Sequence, residues 1–173
     1  TIARAAAHIT YPARFQLVAA MNPCRCGYLG DPGRECRKAP RCGEDYLNRL
    51  SGPLLDRMDL WVDMQPLSPV DMMISPAGES SAIIRGRVAT ARNFQHERGQ
   101  SVRNAEANPD QFELDSDART LLTDAARKLR LSARGFTRLL RVARTIADFE
   151  ATQFIGKQHV AEAVSFRHRS RLS

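Results

Sequence analysis

The chain has 173 residues, 43% of them apolar, enough for one domain or two small ones with a core. Lys and Arg number 26 against 19 Asp and Glu, a formal charge of +7. That charge suits an anionic partner such as nucleic acid or nucleotide phosphate, and equally a solvated surface with a basic tail, Arg167-His168-Arg169-Ser170-Arg171. No apolar run approaches the roughly 20 residues of a membrane span, so a membrane partner is not expected. The start, Thr1-Ile2-Ala3-Arg4, has neither an initiator methionine nor a signal-peptide pattern and reads as a cut from a longer protein.

Taken in chain order, Arg14 to Ala20 are a short apolar run between Pro12 and Pro23, the pattern of a buried strand. Cys24 to Cys42 is rich in Gly, Pro, Arg and Cys and predicts an insertion loop. Residues 44–57 predict a helix broken or kinked at Gly52-Pro53. Leu60 to Met64 predict a second short strand, ending at Gln65-Pro66. A linker follows through Pro69 and Pro76.

From Ser80 onward the pattern is helical, and few aromatics with many alanines agree with that. One helix has Ser80 or Ser81 as cap, Gly99 as stop, and a stripe of Ile84, Val88, Ala91 and Gln95. Ser101 to Pro109 is a polar loop. A second helix starts at Asp115 or Ser116 and buries Ala118, Leu121, Leu122, Ala125 and Leu129. A third starts at Ser132 with a stripe of Phe136, Leu139, Leu140, Ala143, Ile146 and Ala147. A last one runs from about Lys157 with Val160, Ala163 and Val164 inward. The fold class expected is mainly α: a fragment of an α/β domain over 1–66 with one or two strands and the Cys-rich insertion, a linker and connecting helix over 67–110, and a helical domain over 111–173.

Three constellations could carry chemistry. Asn22 ends the first expected strand, where ligands sit in open α/β sheets, although an Asn before Pro23 also simply makes a turn. Arg57 lies between Asp56 and Asp59, in a segment joining a helix to a strand. An arginine there can reach a neighbour's γ-phosphate, or it can pair locally with either acid. Arg134 sits in the first turn of the Ser132-capped helix and shares a face with Arg138 and Arg141. A helix N-terminus with an arginine suits phosphate, and an exposed basic face is the plain alternative.

The four cysteines, Cys24, Cys26, Cys36 and Cys42, all fall in one loop. With no secretory signal they suggest a metal site or reduced thiols of a cytoplasmic protein, not a disulfide framework. Four thiolates suit tetrahedral zinc in a structural role. The other reading is a loop of reduced, metal-free cysteines. No G-x-x-x-x-G-K-[ST] loop exists; Gly156-Lys157 is followed by Gln158, and Val62-Asp63 lacks a second acid for magnesium.

The strings FQLVAAMNPC, SGPLLDR and LSARGFTRLLRVARTIAD closely resemble the competence-type magnesium-chelatase-like AAA+ proteins, the ComM/YifB family, over nearly the whole chain. The resemblance implies that Asn22 is a sensor-1 residue, Arg57 an arginine finger acting in trans and Arg134 a sensor-2 arginine on a helical lid. It implies ATP and Mg²⁺ held mainly by an upstream half that carries the phosphate loop, hexameric rings of identical subunits, and action on DNA. The chain by itself would then hydrolyse no ATP. The family pattern also resembles two close C-x-C pairs. Here Lys38 stands where the fourth cysteine is expected, and Cys42 comes four residues later. Two other functions stay open: a non-catalytic, zinc-stapled nucleic-acid-binding module, and a subunit of a chelatase that inserts metal into porphyrin.

Overall fold

A strand is stable only when a neighbour takes up its N–H and C=O groups. Ile2–Arg4 (β1) and Ala7–Ile9 (β2) meet that condition by pairing antiparallel, Ile2 opposite Ile9 and Arg4 opposite Ala7. The computed structural model describes every residue except Thr1, Ala5, Ala6, Pro12, Ala13, Pro32, Glu35, Pro66, Ser75, Ala77 and 168–173, with backbone only for the rest of 1–7 and for Pro69. The basic tail at 168–171 and the domain end at Pro66 therefore lie outside the described residues. The chain divides into two units, Thr1–Leu47 and Asn48–Ser173.

In the first unit the expected strand over 14–20 does not form. These residues are exposed and without regular structure, because no further strand among the described residues lies beside them. The Cys-rich segment is the loop expected of it, a chain of tight turns. Gly27 and Gly30 take φ of +83° and +82°, open to glycine at no steric cost. The helix expected over 44–57 is two pieces. Arg41–Leu47 (α1) begins earlier, inside the loop, and Gly43 is buried against it. A Cβ on Gly43 would lie 2.6 Å from Leu29 Cδ2 and 3.4 Å from the Pro23 carbonyl.

The second unit opens with Gly52–Leu55 (α2), which Ser51 caps by accepting the Leu54 N–H at 3.3 Å. The expected strand over 60–64 is also absent, again with mostly exposed side chains. The linker contains a short helix, Pro69–Ile74 (α3), that the proline spacing concealed. Ser68 and Asp71 cap it reciprocally: Asp71 N–H to Ser68 Oγ at 3.0 Å, and Ser68 N–H to Asp71 Oδ2 at 3.1 Å. The Ser68 side chain and then the Ser68 N–H hold the Asp71 carboxyl below its ordinary value.

The later helices follow their caps. Ser81–Glu97 (α4) starts at Ser80 and stops at Gly99, whose φ is +80°. Ser116–Lys128 (α5) starts at Asp115, which accepts the Ala118 N–H at 2.6 Å. Ala133–Phe149 (α6) starts at Ser132, and Lys157–Ser165 (α7) starts at Gly156. Gly156 has no side chain to cap with, so the His159 ring accepts its N–H at 2.8 Å and binds Glu150 on the far side, also at 2.8 Å.

The core is the meeting of α5, α6 and α7: Ala118, Leu122, Leu139, Leu140, Ala143, Ala147, Ile155, Val160 and Ala163, with Phe112 and Ala107 from the preceding loop. Two stripe assignments fail. Phe136 on α6 is exposed, and on α4 only Ala91 and Gln95 are buried while Ile84 and Val88 face solvent. Helix α4 is held to α6 by polar bonds instead of an apolar seam. Buried Asp148 accepts from Arg98 and Arg144 at 3.0 Å each, from Gln95 at 2.8 Å and from Asn104 at 2.7 Å. Burial pushes the Arg144 guanidinium below its ordinary value, and Asp148 opposes that. Among the described residues no helix is long and apolar enough to cross a membrane.

Candidate functional site

Ser51 and Pro53 start α2, and its end places Asp56, Arg57 and Met58 in successive turns: Asp56 N–H to the Gly52 carbonyl at 2.9 Å, Arg57 to Leu54 at 3.0 Å, Met58 to Leu55 at 3.1 Å. The segment after it, 56–61, is bonded to the start of α6 and the end of α7. Ser132 Oγ accepts the Gly135 N–H as a helix cap and donates to Asp56 Oδ2, both at 3.0 Å. Arg138 binds Asp59 at 2.6 Å and also donates to the Arg57 carbonyl. Arg167 donates to the Met58 carbonyl at 3.1 Å, and its other terminal nitrogen lies 3.8 Å from Asp56 Oδ1. The Trp61 N–H donates to the Phe166 carbonyl at 2.8 Å. Burial pushes the Arg167 guanidinium below its ordinary value, with Asp56 opposing and Arg138 adding to the shift.

Neither flanking acid pairs with Arg57. Asp56 is taken by Ser132 and Arg167, and Asp59 by Arg138. Among the described residues the exposed Arg57 guanidinium folds back only onto the Pro53 carbonyl of its own helix, at 3.0 Å. A carbonyl at a helix end holds a guanidinium less firmly than a carboxylate does.

The three arginines expected on one face of α6 have three different fates. Arg138 is bound into the loop just described, and Arg141 donates to the Ala107 carbonyl at 3.0 Å. Arg134 is exposed and makes no hydrogen bond or ion pair among the described residues. The first turn of α6 is not an open anion cradle, because Asp56 lies against it. A Cβ on Gly135 would meet Asp56 Oδ1 at 3.4 Å and Arg167 at 3.5 Å. Asn22 is exposed in a stretch of the first unit without regular structure, and no strand forms over 14–20 before it.

The cysteines do converge. The sulfurs of Cys24, Cys36 and Cys42 lie within 4.8 Å of one another, and Cys26 Sγ is 3.2 Å from Cys24 Sγ. Cys42 arrives in the first turn of α1, its N–H on the Lys38 carbonyl at 3.0 Å, which brings it back to the cluster four residues late. Burial would push the Cys24 thiol up, but the Cys26 thiol and the N–H groups of Leu29, Cys26 and Gly27 bring it down to about 6. At Cys26 the Tyr28 N–H favours the thiolate, and Cys24 and Cys36 outweigh it and push the group up. A thiol cluster of this kind, with backbone N–H groups aimed at its sulfurs, can hold a metal ion.

Sequence reasoning missed Ser132, Arg138 and Arg167 as partners of the Arg57 segment. Their contacts span 76 to 109 residues, beyond any local pattern. It also missed Arg144 and Asp148, although their spacing of four on one helix was a usable signal.

Comparison with known proteins bears on the whole chain. Residues 1–72 match the family described as magnesium chelatase, subunit ChlI, and residues 78–167 match magnesium chelatase, subunit ChlI C-terminal. The chain is 44% identical over 176 residues to YifB of Escherichia coli, covering 99% of this chain and 34% of that protein. It is 45% identical over 177 residues to YifB of Salmonella typhimurium, with the same coverage. It is 43% identical over 177 residues to the competence protein ComM of Haemophilus influenzae, again covering 99% and 34%. The chain thus spans about a third of the length of the relatives it matches. The two matched segments and these relatives together show that the chain belongs to the magnesium-chelatase-like family that includes YifB and ComM.

Proposed function

We propose that this chain is the sensor and arginine-finger portion of an AAA+ ATPase. Arg57 is the finger offered to a neighbouring subunit's ATP, Arg134 the sensor-2 arginine of the helical lid, and Asn22 the sensor-1 residue. ATP and Mg²⁺ are held mainly by another segment of the full-length protein, since no phosphate loop occurs here. Identical subunits, six by family resemblance, form the ring in the cytoplasm.

The observation that carries this reading is the state of Arg57: exposed, with both neighbouring carboxylates committed elsewhere. A guanidinium placed on a transferring phosphoryl group is worth about 10³–10⁵ in rate in well-studied cases. In the full-length protein, Arg57→Ala should lower kcat for ATP by a factor of that order and leave ATP binding intact. Normal turnover in that variant would remove the assignment.

DNA is the favoured substrate of the motor, on two supports: the net charge of +7 and the relative named a competence protein. ATPase activity stimulated by single-stranded or branched DNA, with a steep salt dependence, is the expected result. Turnover indifferent to DNA but raised by a porphyrin would favour the chelatase role instead. The four cysteines fit a structural zinc ion, and metal analysis of the purified protein should find one zinc per chain. A metal-free protein with four titratable thiols would count against it.

A further inference from the structure

The acids beside Arg57 are engaged by groups from a different part of the chain, and every one of those groups belongs to the start of α6 or the end of α7. Ser132 and Arg167 take Asp56, Arg138 takes Asp59, and Arg138 and Arg167 also take the main-chain carbonyls of Arg57 and Met58. The bond from Trp61 to Phe166 closes the segment. The Arg57 guanidinium is not part of this set; it bonds the Pro53 carbonyl. Arg138 is four residues, one helical turn, from Arg134 on the same helix.

We propose that Arg138, supported by Arg167, is a positioning residue that fixes the Arg57 segment to the helix bearing Arg134, so that the two arginines move as one body. The inference rests on the reading of Arg57 as the finger and names what sets its position. One terminal nitrogen of Arg138 donates both to the Asp59 carboxylate and to the Arg57 carbonyl; a lysine, with a shorter reach and no planar guanidinium to hold its direction, should keep only part of this. A positioning error of about 1 Å can cost on the order of 10²-fold in rate. A finger acts in the transition state, so the loss falls on kcat and not on ATP binding.

The test is single-turnover ATP hydrolysis by the full-length protein carrying Arg57→Ala, Arg138→Ala, Arg138→Lys, Asp59→Asn and the double change Arg57→Ala/Arg138→Ala, with ATP affinity and thermal midpoint measured beside it. Arg138→Ala is expected to lower the rate about tenfold to a hundredfold with ATP affinity changed less than about twofold. Arg138→Lys and Asp59→Asn should fall between it and the unaltered protein; they carry the test if Arg138→Ala does not fold. The double variant should be no slower than Arg57→Ala alone, because Arg138 acts through Arg57. A double variant slower than Arg57→Ala by the full Arg138→Ala factor would overturn the inference and give Arg138 a contact of its own. Loss of activity in Arg57→Ala with normal turnover in both Arg138 variants and Asp59→Asn would overturn the inference alone. Normal turnover in Arg57→Ala would remove the finger reading and this inference with it.

Discussion

In the helical unit, Leu139, Ile155 and Val160 are fully buried; in the first unit, Phe15 and Val18 are 79% and 86% exposed. Both stretches read as apolar, but they differ in what each needs from the rest of the chain. A helix satisfies its own backbone and asks only for another apolar stripe, which α5, α6 and α7 give one another. A strand asks for neighbouring strands, and among the described residues no strand pairs with 14–20. In the first unit, Cys24 and Gly43 are the residues buried among those whose side chains are described. Order there depends on a thiol cluster and a close turn, not on a core.

The strongest way to sharpen this contrast is metal removal. If zinc holds the cysteine loop, a chelator should abolish amide protection across 24–42, an effect on the order of 10 kcal/mol in small zinc sites. Hydrogen exchange should show α5–α7 unchanged, and equal protection of the loop with and without chelator would break the contrast. In the helical unit the corresponding weak point is Asp148. Asp148→Ala strands Arg144 and Arg98 without their carboxylate and should cost about 3–5 kcal/mol in urea unfolding, without altering thiol reactivity in the loop.

Smaller effects follow. Ser132→Ala removes the α6 cap and a donor to Asp56, and should cost about 1 kcal/mol in the same measurement. Val18→Thr, at an exposed position, should change stability by less than about 0.5 kcal/mol; a larger loss would mean that 14–20 is packed against something. The smallest effect is at α3. The folded-state carboxyl of Asp71 titrates below its ordinary value of 3.8, so its contribution is present above that pH and is lost as pH falls through the lower, folded value. The Ser68 and Asp71 amide resonances should report that loss, while Asp71→Asn should keep a cap that no longer depends on pH.

Much of the helical half was legible because capping is local chemistry. Ser80, Asp115 and Ser132 stand within three residues of the N–H groups they accept, so a short window of sequence contains the whole interaction. The cysteine loop was legible in the same way, and Cys42 does return to the cluster despite Lys38 standing at the expected position. The α4 stripe misled because Ile84 and Val88 have the right spacing but no partner surface. The bonding of 56–61 to distant partners could not be read either, because those contacts span 76 to 109 residues.

The sequence by itself determined where α4, α5, α6 and α7 start, which residues offer thiols and guanidinium groups, and which family the chain resembles. All of these are written in residue type and short spacing. Only the tertiary structure decided which charges meet. Asp56 and Asp59 lie beside Arg57 in the chain, yet they bind Ser132, Arg167 and Arg138. Packing of α6 and α7 delivers two guanidinium groups and a hydroxyl to those carboxylates, and the exposed Arg57 guanidinium bonds the Pro53 carbonyl of its own helix instead.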